Sequence, residues 1–157
     1  MAIRHVLIPA SVDAVWSVLC DGDKYQQWVV GPTATEQVDD HWPQPGAAVR
    51  YRVGPGQGLL KGRTVVRICV PRERLELEAR AGRLGSARIA IRLLPWGEEC
   101  IVIIDEHPLR GIGAHMHNVV LDAFLHARHR RMLVNLRNLV VKTVREGQHG
   151  PAAHKPP

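Results

Sequence analysis

ERLELEARAGRLGSARIAIRLL, residues 73–94, alternates twice between apolar and charged side chains. Leu75, Leu77 and Ala79 interleave with Glu76, Glu78 and Arg80, and Ile89, Ile91 and Leu93 interleave with Arg88 and Arg92. Successive side chains of a strand point to opposite faces, so each half of the stretch has one apolar and one charged face. Gly82 to Gly85 supplies the turn between them. Two such strands in succession form an antiparallel pair with one face on a core and the other in water.

The same period of two extends from residue 35 to 107. Val49, Tyr51 and Val53 alternate with Arg50 and Arg52. Turn residues punctuate the chain at Pro43 to Gly46, Gly54 to Gly58, Pro71-Arg72 and Pro95 to Gly97, which predicts a meander without βαβ crossovers. Residues 100–104, Cys-Ile-Val-Ile-Ile, are apolar on both faces and are expected to lie under other structure. Upstream, Ile3 to Ile8 suits a first strand ending at Pro9. Ser11 offers an N-cap to a helix over 12–20, with Asp13 in its first turn and Val12, Val15, Trp16 and Leu19 on one side. A second short helix holds Tyr25 and Trp28 before Gly31-Pro32 stops it. Downstream, His115 to about Arg145 lacks Gly and Pro and would make a helix roughly 45 Å long. Met116, Val119, Val120, Ala123, Ala127, Val134 and Val141 mark its expected buried stripe.

Strand, two short helices, a run of strands and one long helix describe an α+β domain over residues 1–146, with 147–157 as a disordered tail of Gly, Pro, Ala and His. A long helix laid over a strongly curved sheet leaves an apolar space at one end, where small ligands bind. The 157 residues suffice for a real core, and 45% of them are hydrophobic. The net charge of +6 is spread thinly. Cys20, Cys69 and Cys100 form neither a CxxC pair nor a zinc spacing, and read as reduced thiols. Met1 to Pro9 is interrupted too early for a signal peptide, and no apolar run approaches the ~20 residues of a bilayer span. The expectation is a soluble cytoplasmic protein without membrane insertion.

Ala14-Val15-Trp16-Ser17-Val18-Leu19 followed by Tyr25-Gln26-Gln27-Trp28 resembles the opening of the SRPBCC (START/Bet v 1-like) superfamily, most closely its polyketide cyclase/dehydrase and lipid transport subgroup. The likeness continues through Trp42-Pro43 with Gly46, Val53-Gly54-Pro55-Gly56, Val70-Pro71 before Leu75, and Glu106-His107-Pro108 before Gly111. It closes on the long helix with Leu133, Leu136 and Leu139. The resemblance spans about residues 3 to 146. It implies a helix-grip fold, a curved antiparallel sheet of about seven strands around the C-terminal helix, with an internal apolar cavity. Members include aromatase/cyclases, lipid and sterol carriers, hormone receptors and chaperone regulators. They share no catalytic signature, so the fold carries no reaction with it. His129 stands after Arg128 where relatives often have Asn, and Cys100 stands where many have Thr.

Asp105, Glu106 and His107 are the acid/base candidates. Alternation turns inward either Asp105 and His107 together or Glu106 alone. A carboxylate there would act as a general base if burial raised its pKa; otherwise it anchors the following loop. Glu106 is the first choice through its place in the family's Glu-His-Pro. Trp28, Trp42 and Tyr51 could line the pocket or be plain core. Met116, Val120 and Phe124 lie on or beside the helix stripe and could face a ligand. His115 and His117 sit about 200° apart on a helix and would not share a metal. Arg128-His129-Arg130-Arg131 has no interleaved aromatics, and reads as a solvated helix face or homodimer edge rather than a nucleic-acid site. Gly54, Gly56 and Gly58 precede a strand, not a helix, so they make a hairpin turn and no phosphate loop. No cofactor is called for, and the three serines lack a nucleophile elbow.

The reading is a binder of a hydrophobic or aromatic small molecule, polyketide- or lipid-like, in an internal cavity. Whether it is an enzyme stays open. If it is one, cyclisation or dehydration by positioning and proton transfer is the expected chemistry. The alternatives are a non-catalytic lipid carrier or ligand sensor and, behind these, a protein-interaction module using the basic helix.

Overall fold

The computed structural model describes residues 2–54, 60–82, 85–110 and 119–150, with residues 2 and 119–125 described by their backbone alone. Strand β1 (Ala2–Ile8) leads into α1 (Val12–Leu19), a 3-10 turn (Gly22–Lys24) and α2 (Tyr25–Trp28). Then come β2 (Pro32–Val38), β3 (Ala48–Val53), β4 (Leu60–Val70), β5 (Arg74–Arg80), β6 (Ser86–Trp96) and β7 (Glu99–Arg110), and the chain closes with α3 (Val119–Gln148). The seven strands form one curved antiparallel sheet in the order β1-β7-β6-β5-β4-β3-β2. This is the helix-grip arrangement, with β1 brought round to pair with the last strand.

Local chemistry explains the start. Ser11 Oγ accepts from the Ala14 N–H at 3.1 Å, and Asp13 adds a negative charge at the positive end of α1. Gly31, at φ 127°, follows the end of α2 in a conformation costly for any other residue. On the concave side Leu75, Leu77, Ile89, Ile91 and Val102 meet Val18 and Leu19 of α1, Trp28 of α2 and Met132, Leu136 and Val140 of α3, all buried in one core. One close approach matters for the site. A Cβ on Gly62 would fall 2.7 Å from Cδ2 and 2.9 Å from Cζ of Tyr51, so only glycine lets that ring cross β4.

Three sequence expectations change. The buried stripe of α3 runs through His129, Met132, Leu133, Leu136, Leu139 and Val140, whereas Ala127 and Val134 are exposed. A histidine holds a core position, so the small apolar residues gave the wrong phase. Residues 100–104 are covered on one face only: Cys100, Val102 and Ile104 are buried, while Ile101 and Ile103 are partly open on the outer side. Ile101 pairs with Leu7 on one flank and Leu94 on the other, so its apolar neighbours lie beside it within the sheet. Finally α3 runs to Gln148, two residues into the segment expected to be disordered.

The outer face is an arginine–glutamate lattice. Glu78 is held by Arg67 at 2.8 Å and Arg80 at 2.6 Å, and Glu76 is buried beneath Arg74 and Arg88. No helix among the described residues is long and apolar enough to cross a membrane.

Candidate functional site

Strand alternation turns Glu106 inward and its neighbours outward. Cys100, Val102, Ile104 and Glu106 share the concave face of β7, so the glutamate continues a row of apolar side chains and is itself only 3% exposed. An ionised carboxylate there needs compensation. It comes from α3. Arg128 Nη1 donates to Glu106 Oε1 at 2.7 Å and to Oε2 at 2.9 Å, and His129 Nε2 donates to Oε2. Arg128 Nε donates in turn to the Val30 carbonyl at 3.1 Å, which ties the segment after α2 to the helix.

These contacts set the charge state. Burial pushes the Glu106 carboxyl up, but the His129 hydrogen bond and the Arg128 guanidinium outweigh it and hold the pKa below the ordinary value. The raised pKa that the general-base alternative needs is therefore not found, because the cationic neighbours outweigh desolvation. Asp105 and His107 lie on the outer face, with His107 Nε2 3.0 Å from Asp105 Oδ2, and do not join Glu106.

A second polar group sits among the aromatics. Thr64 Oγ1 is 2.7 Å from the Tyr25 hydroxyl and 3.0 Å from the Tyr51 hydroxyl, and all three residues are buried. Burial pushes the phenol of Tyr25 well above its usual pKa and raises that of Tyr51, so both stay protonated near neutrality. Their rings stack with centroids 5.6 Å apart.

Above the ion pair lies a cleft of about 340 Å³. Its walls are the Val29–Pro32 segment, Tyr51 and Val53 of β3, residues 79–81 and 85–87 at the facing ends of β5 and β6, and Pro108 and Arg110 of β7. Glu106 and Arg128 line it as well. This size suits a small organic molecule.

Of the aromatics named from sequence, Tyr51 lines this cleft. Trp28 is packed in the core edge-on to Tyr25. Trp42 donates from Nε1 to the Leu19 carbonyl at 3.2 Å and borders a different surface groove with Cys20 and Asp39. Met116 and the side chains of Val120 and Phe124 lie outside the described residues, as do His115, His117, Gly56 and Gly58. Among the described residues no three His, Cys, Asp or Glu side chains gather as a metal site. The basic run divides: Arg130 and Arg131 are exposed, but Arg128 is mostly covered and His129 fully buried, which corrects the expectation of a wholly solvated face. Arg128, His129, Tyr25 and Thr64 were missed as site residues. A buried carboxylate predicted on β7 was a signal that some cation must face it.

The model of the family described as Activator of Hsp90 ATPase homolog 1-like protein matches residues 9–136. No curated protein matches the chain. Among solved structures, DynU16, a protein of the dynemicin biosynthetic locus, is 22% identical with a TM-score of 0.64; the match covers 87% of this chain but 45% of that one. A START superfamily protein from Mycobacterium smegmatis is 13% identical over 90% of this chain and 97% of its own, with a TM-score of 0.71. The Aha1 dimer from Colwellia psychrerythraea is 15% identical over 89% and 96%, at 0.63. At these identities the likeness is one of fold.

Proposed function

The chain belongs to the Activator of Hsp90 ATPase homolog 1-like protein family, within the START/polyketide-cyclase (SRPBCC) superfamily, and on that premise we propose that it binds a hydrophobic or aromatic small molecule in the cleft above Glu106 and Arg128. One observation carries the reading: a cleft of ligand size, mostly apolar at its walls, has a preformed ion pair at its base. A polyketide- or lipid-like body would lie against Val29, Pro32, Val53 and Ala79.

Binding without chemistry is the form the residues support best. A general base must be free to take a proton at its working pH. Glu106 instead has both oxygens engaged by three hydrogen bonds and its pKa held low, which makes it a weak base, while Tyr25 and Tyr51 are held protonated. The carrier or sensor reading therefore stands ahead of the cyclase or dehydratase reading. Dimerisation, the state of the Colwellia Aha1 protein, is carried over as the expected assembly, to be read by sedimentation.

The test is native mass spectrometry of gently purified protein beside an Ala79→Phe variant that fills the cleft. A hydrophobic adduct on the native chain and its loss from the variant are expected. N-phenyl-1-naphthylamine should likewise fluoresce with the native protein and not with the variant. Equal binding of the dye to both would place its site elsewhere and defeat the proposal.

A further inference from the structure

We infer that the ligand of this cleft is an amphiphile with an acidic head group, seated by Arg128 and Arg110 while its apolar part lies along the walls. The inference rests on the cleft being the binding site and adds the chemistry of its occupant.

Glu106 accepts from Arg128 at both oxygens and from His129 at one, so little acceptor capacity faces the cleft. Arg128 carries five N–H donors. Its Nε–H goes to the Val30 carbonyl and its Nη1 group to Glu106, whereas Nη2 has no partner among the described residues. The side chain is 19% exposed and lines the cleft, so this outer edge of the guanidinium is what an arriving group meets. Donors are on offer and acceptors are consumed, which selects a ligand that accepts.

Charge narrows the choice further. Arg110 and Arg128 line the cleft against the single carboxylate of Glu106, and Arg80 borders it with its guanidinium turned to Glu78 on the outer face. Arg80 is held by Glu78, but Arg110 has no carboxylate within 4 Å among the described residues. A neutral acceptor would satisfy Nη2 but leave the excess positive charge facing an apolar wall. An anionic head satisfies both, and an arginine already oriented by a fixed carboxylate loses little freedom in binding it. The apolar residues Val29, Pro32, Val53, Ala79 and Pro108 demand the rest of the molecule.

The experiment follows displacement of 1-anilinonaphthalene-8-sulfonate from the whole chain by three competitors: decanoate, 1-decanol and inorganic phosphate. Decanoate should displace the dye at a concentration at least about ten-fold below decanol, and phosphate should fail over the same range. Raising salt should weaken decanoate relative to decanol, since of the two competitors only decanoate depends on a charge contact. Arg110→Gln, at an exposed position outside the Glu106 cluster, should narrow the decanoate-to-decanol ratio to about three-fold or less. Equal displacement by decanol and decanoate would overturn the acidic head while leaving the cleft as a binding site. Displacement by inorganic phosphate as effective as by decanoate would overturn the amphiphile. Failure of the dye and of every competitor to bind would remove the cleft reading together with this one.

Discussion

Glu106→Gln separates an ion that holds the fold from a base that performs a reaction. The substitution keeps the shape of the side chain and removes its charge. In the native protein Glu106 is 3% exposed and accepts three hydrogen bonds, two from Arg128 and one from His129. A carboxamide keeps one oxygen acceptor and turns an N–H₂ group toward donors, so at least one of those bonds is lost and Arg128 is left without its counter-charge. Removing one partner of a buried pair costs about 3–5 kcal/mol; because Arg128 retains some solvent contact, about 3 kcal/mol is expected here. For a domain of this size that corresponds to a fall in melting temperature of about 6–12 °C. The pH dependence supplies the sign. Glu106 is held below its ordinary pKa in the folded chain, so its contribution is complete above the unfolded value near ~4.3 and is lost as pH falls through the folded value. Urea titrations of native and variant protein should therefore differ by the full amount at pH 6–7 and converge as the pH drops below about 4. A variant as stable as the native chain at pH 7, or a gap that widens on acidification, would refute the assignment of Glu106 as a structural anion.

Three further outcomes test the arrangement around it. Leu133→Ala on the buried stripe of α3 should cost about 2–5 kcal/mol, and Val134→Ala, at a position 46% exposed, no more than about 0.5; urea midpoints measure both, and the reverse ranking would restore the helix phase first read from the sequence. Gly62→Ala should push the Tyr51 ring away from Thr64 and cost about 1–3 kcal/mol, seen as a lower urea midpoint and a changed near-ultraviolet tyrosine signal. The triple replacement Glu106→Leu, Arg128→Met and His129→Leu removes the whole charged group rather than half of it, so stability within about 2 kcal/mol of native is expected, together with loss of the preference for decanoate over decanol.

The strands were legible because their two faces differ so sharply. Leu75 and Leu77 against Glu76 and Glu78 admit only one phase, and the register Leu77 to Ile89 and Glu78 to Arg88 follows from it. The long helix was not legible to the same degree. His129 occupies a core position while Ala127 and Val134 face solvent, so hydrophobicity alone points the helix about one residue off. Contacts made outside the helix decide the phase: Glu106 calls both His129 and Arg128 to the sheet side. Residues 101 and 103 failed for a related reason, since their apolar neighbours Leu7 and Leu94 are supplied by other strands and cannot be seen within the pentapeptide itself.

The candidate site shows the same limit in stronger form. Alternation along β7 could offer Glu106 or the pair Asp105 and His107 as the inward group, and choosing between them needs the neighbouring strands. Once Glu106 is inward, burial forces a compensating cation, and 22 positions separate it from the one that answers. Arg128 then does two things with one side chain. Through Nη1 it neutralises the sheet carboxylate, and through Nε it fixes the Val30 carbonyl, so helix, sheet and the segment after α2 meet at a single planar group. A guanidinium fixed on two sides has its remaining edge aimed before any ligand arrives, and a ligand bound to that edge stabilises all three elements at once. The ion pair that makes Glu106 a poor base is thus the feature that, on the proposed reading, would make the cleft above it selective.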